Sequence, residues 1–175
     1  MIRLMDPPAD DPVMDTISPD ALDWEEIDRD GAAWRRKRLA AETDNSGLGC
    51  SLYEIPPGKR GWPYHYHTAN AEAVYVLAGN GEIRGPDDER VELGVDDYVA
   101  LPAGPEGAHQ VVNTGEDPLR YLAMSTMNEP EVLRYPDSDK VGVMAGSPPG
   151  GDGDERTVEG FYRTGDAVGY WTDEE

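Results

Sequence analysis

The chain holds three histidines, His65, His67 and His109, and all of them sit where neighbouring residues could serve the same chemistry. In Pro63-Tyr-His65-Tyr-His67 the spacing of two is the side-chain period of a β-strand, so both imidazoles share one face. Tyr64 and Tyr66 then face the opposite way, towards a second layer or another subunit. Glu72 follows a turn at residues 68–71 and opens the adjacent strand, where its carboxylate can lie beside the two nitrogens. His109 begins a later strand behind a Pro/Gly loop, with Asn113 further along it. Imidazole nitrogens and a carboxylate oxygen are donors suited to a divalent transition metal. Singly these signals are weak, since a His-x-His pair is usually incidental and a glutamate before a strand is usually solvated. Together they weigh more, because the rest of the chain contains no histidine.

Strands are needed to position such a set. Between residues 47 and 126 short apolar stretches alternate with Gly, Pro and Asp turns. Strands are expected at 48–55, 64–67, 73–77, 81–84, 89–93, 98–101, 109–113 and 119–126. Pro56-Pro57-Gly58, Gly79-Asn80-Gly81, Gly85-Pro86-Asp87-Asp88, Pro102-Ala103-Gly104 and Gly115-Glu116-Asp117-Pro118 supply turns between them. Short strands so punctuated indicate an antiparallel sandwich or barrel, and nothing here sustains a helical period.

The flanks differ in texture. Residues 1–45 read as an acidic N-terminal arm, whose first 30 residues are rich in Asp and Pro and are expected to have little structure of their own. Ser18 followed by Pro19 could start one short helix, as N-cap and first position. Trp34-Arg-Arg-Lys-Arg38 is the only basic cluster, better explained as a solvated edge strand or a local partner for the acidic arm than as an anion site. Residues 46–127 form the barrel, and 128–175 a C-terminal extension packing on it. The extension becomes irregular, with a turn at Tyr135-Pro-Asp-Ser-Asp-Lys140 and a Pro/Gly linker at 146–153, and Phe161–Trp171 is expected to be a strand or packed tail covering the barrel, with Trp171 its anchor. No internal repeat is present, so there is a single barrel unit.

These motifs resemble those of the cupin superfamily. His65-x-His67-x4-Glu72-x6-Gly79 is similar to its first motif, and Gly94-x7-Pro102-x-Gly104-x4-His109-x3-Asn113 to its second. Two departures stand out. The glycine opening the first motif sits one residue early, at Gly58, and the second motif has two extra residues on each side of Pro102-Ala103-Gly104. The second departure bears on His109, for which no other histidine could substitute. The resemblance implies an all-β fold, the cupin double-stranded β-helix or jelly-roll barrel, usually dimeric. It also implies one divalent transition metal per chain (Zn, Mn, Fe, Ni or Co) held by His65, His67, Glu72 and His109. Leu52-Tyr-Glu-Ile-Pro-Pro-Gly58, Asn128-Glu-Pro-Glu131, Tyr135-Pro-Asp-Ser138 with Lys140-Val-Gly142, and Tyr170-Trp171 resemble a narrower microbial group of single-domain cupins, some labelled sugar-phosphate isomerases.

Three neutral imidazoles and one carboxylate would leave such an ion with net positive charge and one or two open positions. It could then polarise a carbonyl or hydroxyl, or activate O₂ if it is iron. The implied function is a metalloenzyme acting on a small polar metabolite, isomerase-like or dioxygenase-like, with a non-catalytic binding or sensing protein as the alternative. The barrel mouth is the natural pocket, with Tyr53, Tyr75, Tyr98 and Tyr121 as candidate walls. No second acid/base beside the metal is evident from the sequence.

Composition narrows the partners. The formal net charge is −21, with only three lysines, and acid is spread over the body and both ends. Nucleic acid is excluded as a partner on charge, and no DNA-binding helices are evident. The expected partners are a small-molecule ligand or substrate and a second copy in a homodimer. The lone Cys50 allows no intrachain disulfide, and a small buried residue is its simplest role. Without an apolar membrane-length run or a secretory h-region near Met1, a soluble cytoplasmic protein is expected.

Acid spread so widely suits a halophilic surface, because self-repulsion is screened within a Debye length of about 3 Å at 1 M salt. Thermal melts in dilute buffer and in molar KCl should therefore show a melting temperature that rises with salt. An unchanged value would leave a cationic partner as the reason for the charge.

Overall fold

The computed structural model describes residues 16–43 and 47–174, and within them the fold is all-β. Its backbone is β3 (Leu48–Ile55), β5 (Glu72–Ala78) and β10 (Leu119–Thr126), with β10 antiparallel to both of the others. Tyr121 lies opposite Tyr53 on β3 and Val76 on β5, while Ser125 lies opposite Glu72. With β1 (Glu25–Arg29), β2 (Ala32–Arg38) and β8 (Tyr98–Leu101) these strands make a six-stranded sheet in the order β1-β2-β3-β10-β5-β8.

A three-stranded sheet of β6 (Gly81–Arg84), β7 (Arg90–Leu93) and β9 (Gln110–Val112) has the order β7-β6-β9. The core lies between these sheets. Ile55, Val76, Leu119 and Tyr121 from the first meet Ile83, Leu93 and Val111 from the second, all buried in one cluster. Fully burying side chains of this size contributes about 1.5–3 kcal/mol each. Gly81 must be glycine, since a Cβ there would overlap the Val112 carbonyl.

Asn113, fully buried, ties strand ends together. Its amide donates to the carbonyls of Ile55 (2.8 Å) and Asp117 (2.9 Å), and its side-chain oxygen accepts from Gly115 N (2.9 Å). The end of the second motif is therefore a structural clasp.

The flanks are more ordered than the sequence suggests. In the arm, Ser18 caps the 3-10 turn Pro19–Ala21 as expected, its hydroxyl accepting from Asp20 N. Beyond that turn, β1 and β2 form a hairpin paired onto β3. The basic cluster is thus an interior strand and not a solvated edge, and through Glu25 it is the partner of the acidic arm that was the other expectation. Arg36 and Arg38 both pair with Glu25, Arg35 pairs with Glu54, and Lys37 is buried. Local polarity disguised this strand, because its charges are matched by residues on neighbouring strands.

The extension is likewise more regular than expected, and a strand does occupy the start of its aromatic stretch. It contains β11 (Glu131–Tyr135), β12 (Lys140–Ala145) and β13 (Val158–Arg163), which join β4 (Tyr66–His67) in the order β13-β12-β11-β4. The expected turn at 135–140 is present, a 3-10 turn at Pro136–Ser138 with Asp139 left-handed at φ 48°. Among the described residues the Trp171 ring meets only that of its neighbour Tyr170, and it is 77% exposed, so it is not the expected anchor. Tyr64, expected to face a second layer or another subunit, is buried within the chain, with its hydroxyl donating to Gly85 O and Arg84 over its ring. No helix among the described residues is long and apolar enough to cross a membrane.

Candidate metal centre

His67 lies on β4, opposite Leu133 of β11. His65 precedes β4 and pairs with His109 in an isolated antiparallel bridge, His65 N to His109 O at 3.1 Å and the reverse at 2.8 Å. That backbone bridge brings the two halves of the motif together. Glu72 begins β5. Ligand atoms of His65, His67 and Glu72 lie within 4.8 Å of one another. His109 Nε2 is 3.4 Å from Glu72 Oε2, the same separation as His67 Nε2. The structure therefore gathers all four candidate residues, with all three imidazoles buried.

Each imidazole has its Nδ1 beside an acceptor: Pro63 O for His65 (2.8 Å), Gly107 O for His109 (2.9 Å) and Glu131 Oε2 for His67 (3.3 Å). An Nδ1–H donating to these acceptors leaves Nε2 with a free lone pair. Glu72 Oε2 is buried and has no hydrogen-bond partner among the described residues. Lone pairs facing a bare carboxylate oxygen repel one another, and burying them uncompensated is costly. A cation among them reverses the sign of every one of these terms. The residues thus fit a divalent transition metal with N₃O donors.

Protonation of His67 is the competing way to satisfy Glu72. Burial opposes a charged His67, but the Glu131 hydrogen bond and the Glu72 charge outweigh it and raise its pKa. His65 is held well below the ordinary range by burial, then by the neighbouring His109 and His67. Burial also lowers His109, against the attraction of Glu72. Two of the three imidazoles are therefore disposed to stay neutral, the form that can ligate.

A cavity of about 830 Å³ opens beside the cluster, bordered by the barrel strands and by residues of the 146–152 linker. Tyr53 and Tyr121 both line it, with rings stacked at 5.3 Å. Tyr75 and Tyr98 do not: Tyr75 bonds Asp96 through its hydroxyl, and Tyr98 is 63% exposed. Strand parity divides the four tyrosines, and it could not be fixed from the sequence. The Tyr53 oxygen accepts from Trp62 Nε1 (3.0 Å) and Arg36 Nη1 (3.3 Å), so its own proton can be donated elsewhere. Burial pushes the Tyr121 phenol well above its usual range, which keeps it a donor. Cys50 lines the same cavity, half-buried, its thiol pushed up by burial.

Three contributors were missed from the sequence, and all lie on one face of β11. Leu133 sits opposite His67, and the Tyr135 ring stacks on His65 at 5.9 Å. Glu131 is fully buried and accepts from His67 and the turn after it. The residues 131, 133 and 135 do show a period of two, but five residues with two charges among them are too short a signal.

Comparison with known proteins agrees with this architecture. The family model for the cupin domain matches residues 51–125. L-ectoine synthase from Shouchella clausii is 37% identical over 65 residues, 37% of this chain and 46% of that enzyme. The matched part thus spans a little under half of that relative's length. Among solved structures, a candidate sugar phosphate isomerase from Acidithiobacillus ferrooxidans superposes with a TM-score of 0.66 and 26% identity, over 79% of this chain and 81% of that one. A cupin-superfamily sugar phosphate isomerase from Silicibacter pomeroyi has a TM-score of 0.71 at 23% identity, covering 87% and 95%. Sheet order, motif residues and the family match together identify residues 51–125 as a cupin domain.

Proposed function

We propose that this cupin binds one divalent transition metal per chain through His65, His67, Glu72 and His109, and that it is a metalloenzyme acting on a small polar metabolite. The observation that carries this reading is the partnerless, buried Glu72 Oε2 facing imidazoles whose Nδ1 atoms are already engaged. When bound, the metal supplies Lewis-acid chemistry, or O₂ chemistry if it is iron. The chain's own residues shape the pocket. Tyr121 offers a phenol proton, Tyr53 a second one oriented by Arg36 and Trp62, and the buried walls restrict water.

Isomerase-like turnover of a sugar phosphate is supported by the Acidithiobacillus relative, and dioxygenase-like turnover by the ligand set. The two arginines bordering the cavity are already in use: Arg36 by Glu25 and Tyr53, Arg156 by Glu159 and the carbonyls of Ser147 and Pro148. A phosphate would have to take over such contacts, so the unphosphorylated sugar is the comparison substrate. A non-catalytic binding or sensing role is favoured by one observation. Apart from Glu72, the carboxylates bordering the cavity (Glu129, Asp152, Glu155 and Glu159) are exposed.

Elemental analysis of protein purified without an affinity tag should find about one metal ion per chain. Protein reloaded with Mn, Fe or Zn should then isomerise a hydroxycarbonyl sugar or consume O₂ with an added polar substrate. Absence of metal overturns the proposal. Loaded protein that retains a small polar ligand without turning it over supports the binding role instead.

A further inference from the structure

Glu131 lies outside the matched cupin domain, on the extension strand β11, and is fully buried. A buried carboxylate is costly unless its lone pairs are satisfied. Here the work is divided between its two oxygens. Oε1 accepts from the backbone of Thr68 (3.0 Å), Ala69 (3.2 Å) and Val132 (2.9 Å) and from the Thr68 hydroxyl (3.3 Å). Oε2 faces His67 Nδ1 and the Asn70 amide. Oε1 alone fastens residues 68 and 69 to β11, and Asn70 takes one position on Oε2. The remaining capacity of Oε2 is directed at the ring that presents Nε2 to Glu72.

We infer that Glu131 is a positioning residue for the metal centre: through Oε2 it fixes the His67 tautomer and ring orientation that leave Nε2 free to ligate. This inference rests on the proposed metal centre. Carboxylate–histidine–metal relays of this type typically change metal affinity 10–100-fold when broken. Chemically, only an acceptor suits this position. In Glu131→Gln the amide oxygen can keep the backbone bonds, which places the NH₂ against His67 Nδ1. The imidazole must then accept at Nδ1 and carry its hydrogen on Nε2, where it points at Glu72 and blocks ligation.

The test titrates Zn²⁺ into metal-free wild type, Glu131→Gln, Glu131→Asp and Thr68→Val, and records the metal-free melting temperature of each. Thr68→Val removes one bond to Oε1 and leaves Oε2 untouched. The expected result is roughly 10–100-fold weaker Zn²⁺ binding in Glu131→Gln, near-wild-type affinity in Thr68→Val, and partial recovery in Glu131→Asp. Wild-type affinity in folded Glu131→Gln overturns the inference and leaves Glu131 as a fastener of the turn. If Glu131→Gln does not fold, Glu131→Asp decides: affinity that falls only in step with its melting temperature also overturns it. A wild type that binds no Zn²⁺ fails differently, because it removes the metal centre itself.

Discussion

His67→Ala and His109→Ala should each abolish the near-stoichiometric metal expected of the wild type when all three are purified without an affinity tag. Each variant removes one of three Nε2 donors from a cluster in which His67 and His109 both lie 3.4 Å from Glu72 Oε2. Two imidazoles and a carboxylate still bind a divalent ion, but a lost first ligand costs far more than a lost supporting bond, itself worth about 10–100-fold. Elemental analysis after dialysis against a weak chelator gives the reading. The His109 variant is the more demanding of the two. His109 is brought to the cluster by its bridge to His65, and the second motif carries extra residues on both sides of Pro102-Ala103-Gly104. Full metal content in His109→Ala would reduce the site to His65, His67 and Glu72.

Gly107→Ala should damage folding and metal binding together, although it removes no ligand. Gly107 is buried, and a Cβ there would overlap the Pro102 carbonyl. Its own carbonyl holds His109 Nδ1 at 2.9 Å, and its N–H closes on Gly104 O at 3.1 Å. Gly104 in turn donates to His67 O at 2.8 Å, so one loop supports two of the imidazoles. Relief of the overlap must move this loop. Overpacking of a rigid site costs about 1–3 kcal/mol, and a backbone obstacle places this case near the upper end. Urea unfolding of metal-free protein should show that loss, and Zn²⁺ titration a further weakening of about tenfold. Gly165→Ala, where a Cβ meets nothing within 4 Å, is the control and should change neither. Wild-type stability in Gly107→Ala would mean that the Pro102–Gly107 loop yields freely and does not hold the ligands.

The barrel strands could be read from the sequence because their signals are local. Alternation and Gly/Pro/Asp turns placed β3, β6, β8 and β10 at their observed limits, and the two-residue spacing put His65 and His67 on one face. The four candidate ligands were likewise legible, since three histidines in motif spacing leave few alternatives. Their actual meeting was a tertiary matter. It depends on the His65–His109 bridge and on β5 beginning at Glu72, neither of which follows from any short window. The flanking strands were hidden for the same reason. Residues 32–38 look solvated until Glu25 and Glu54 are placed beside the arginines, and β11 looks irregular until it pairs with β4. Glu131 shows the limit most clearly. In the sequence it is one acid among 36 Asp and Glu residues, and only the fold buries it against His67. Burial and partner identity are properties of long-range pairing, which residue type and local spacing do not encode.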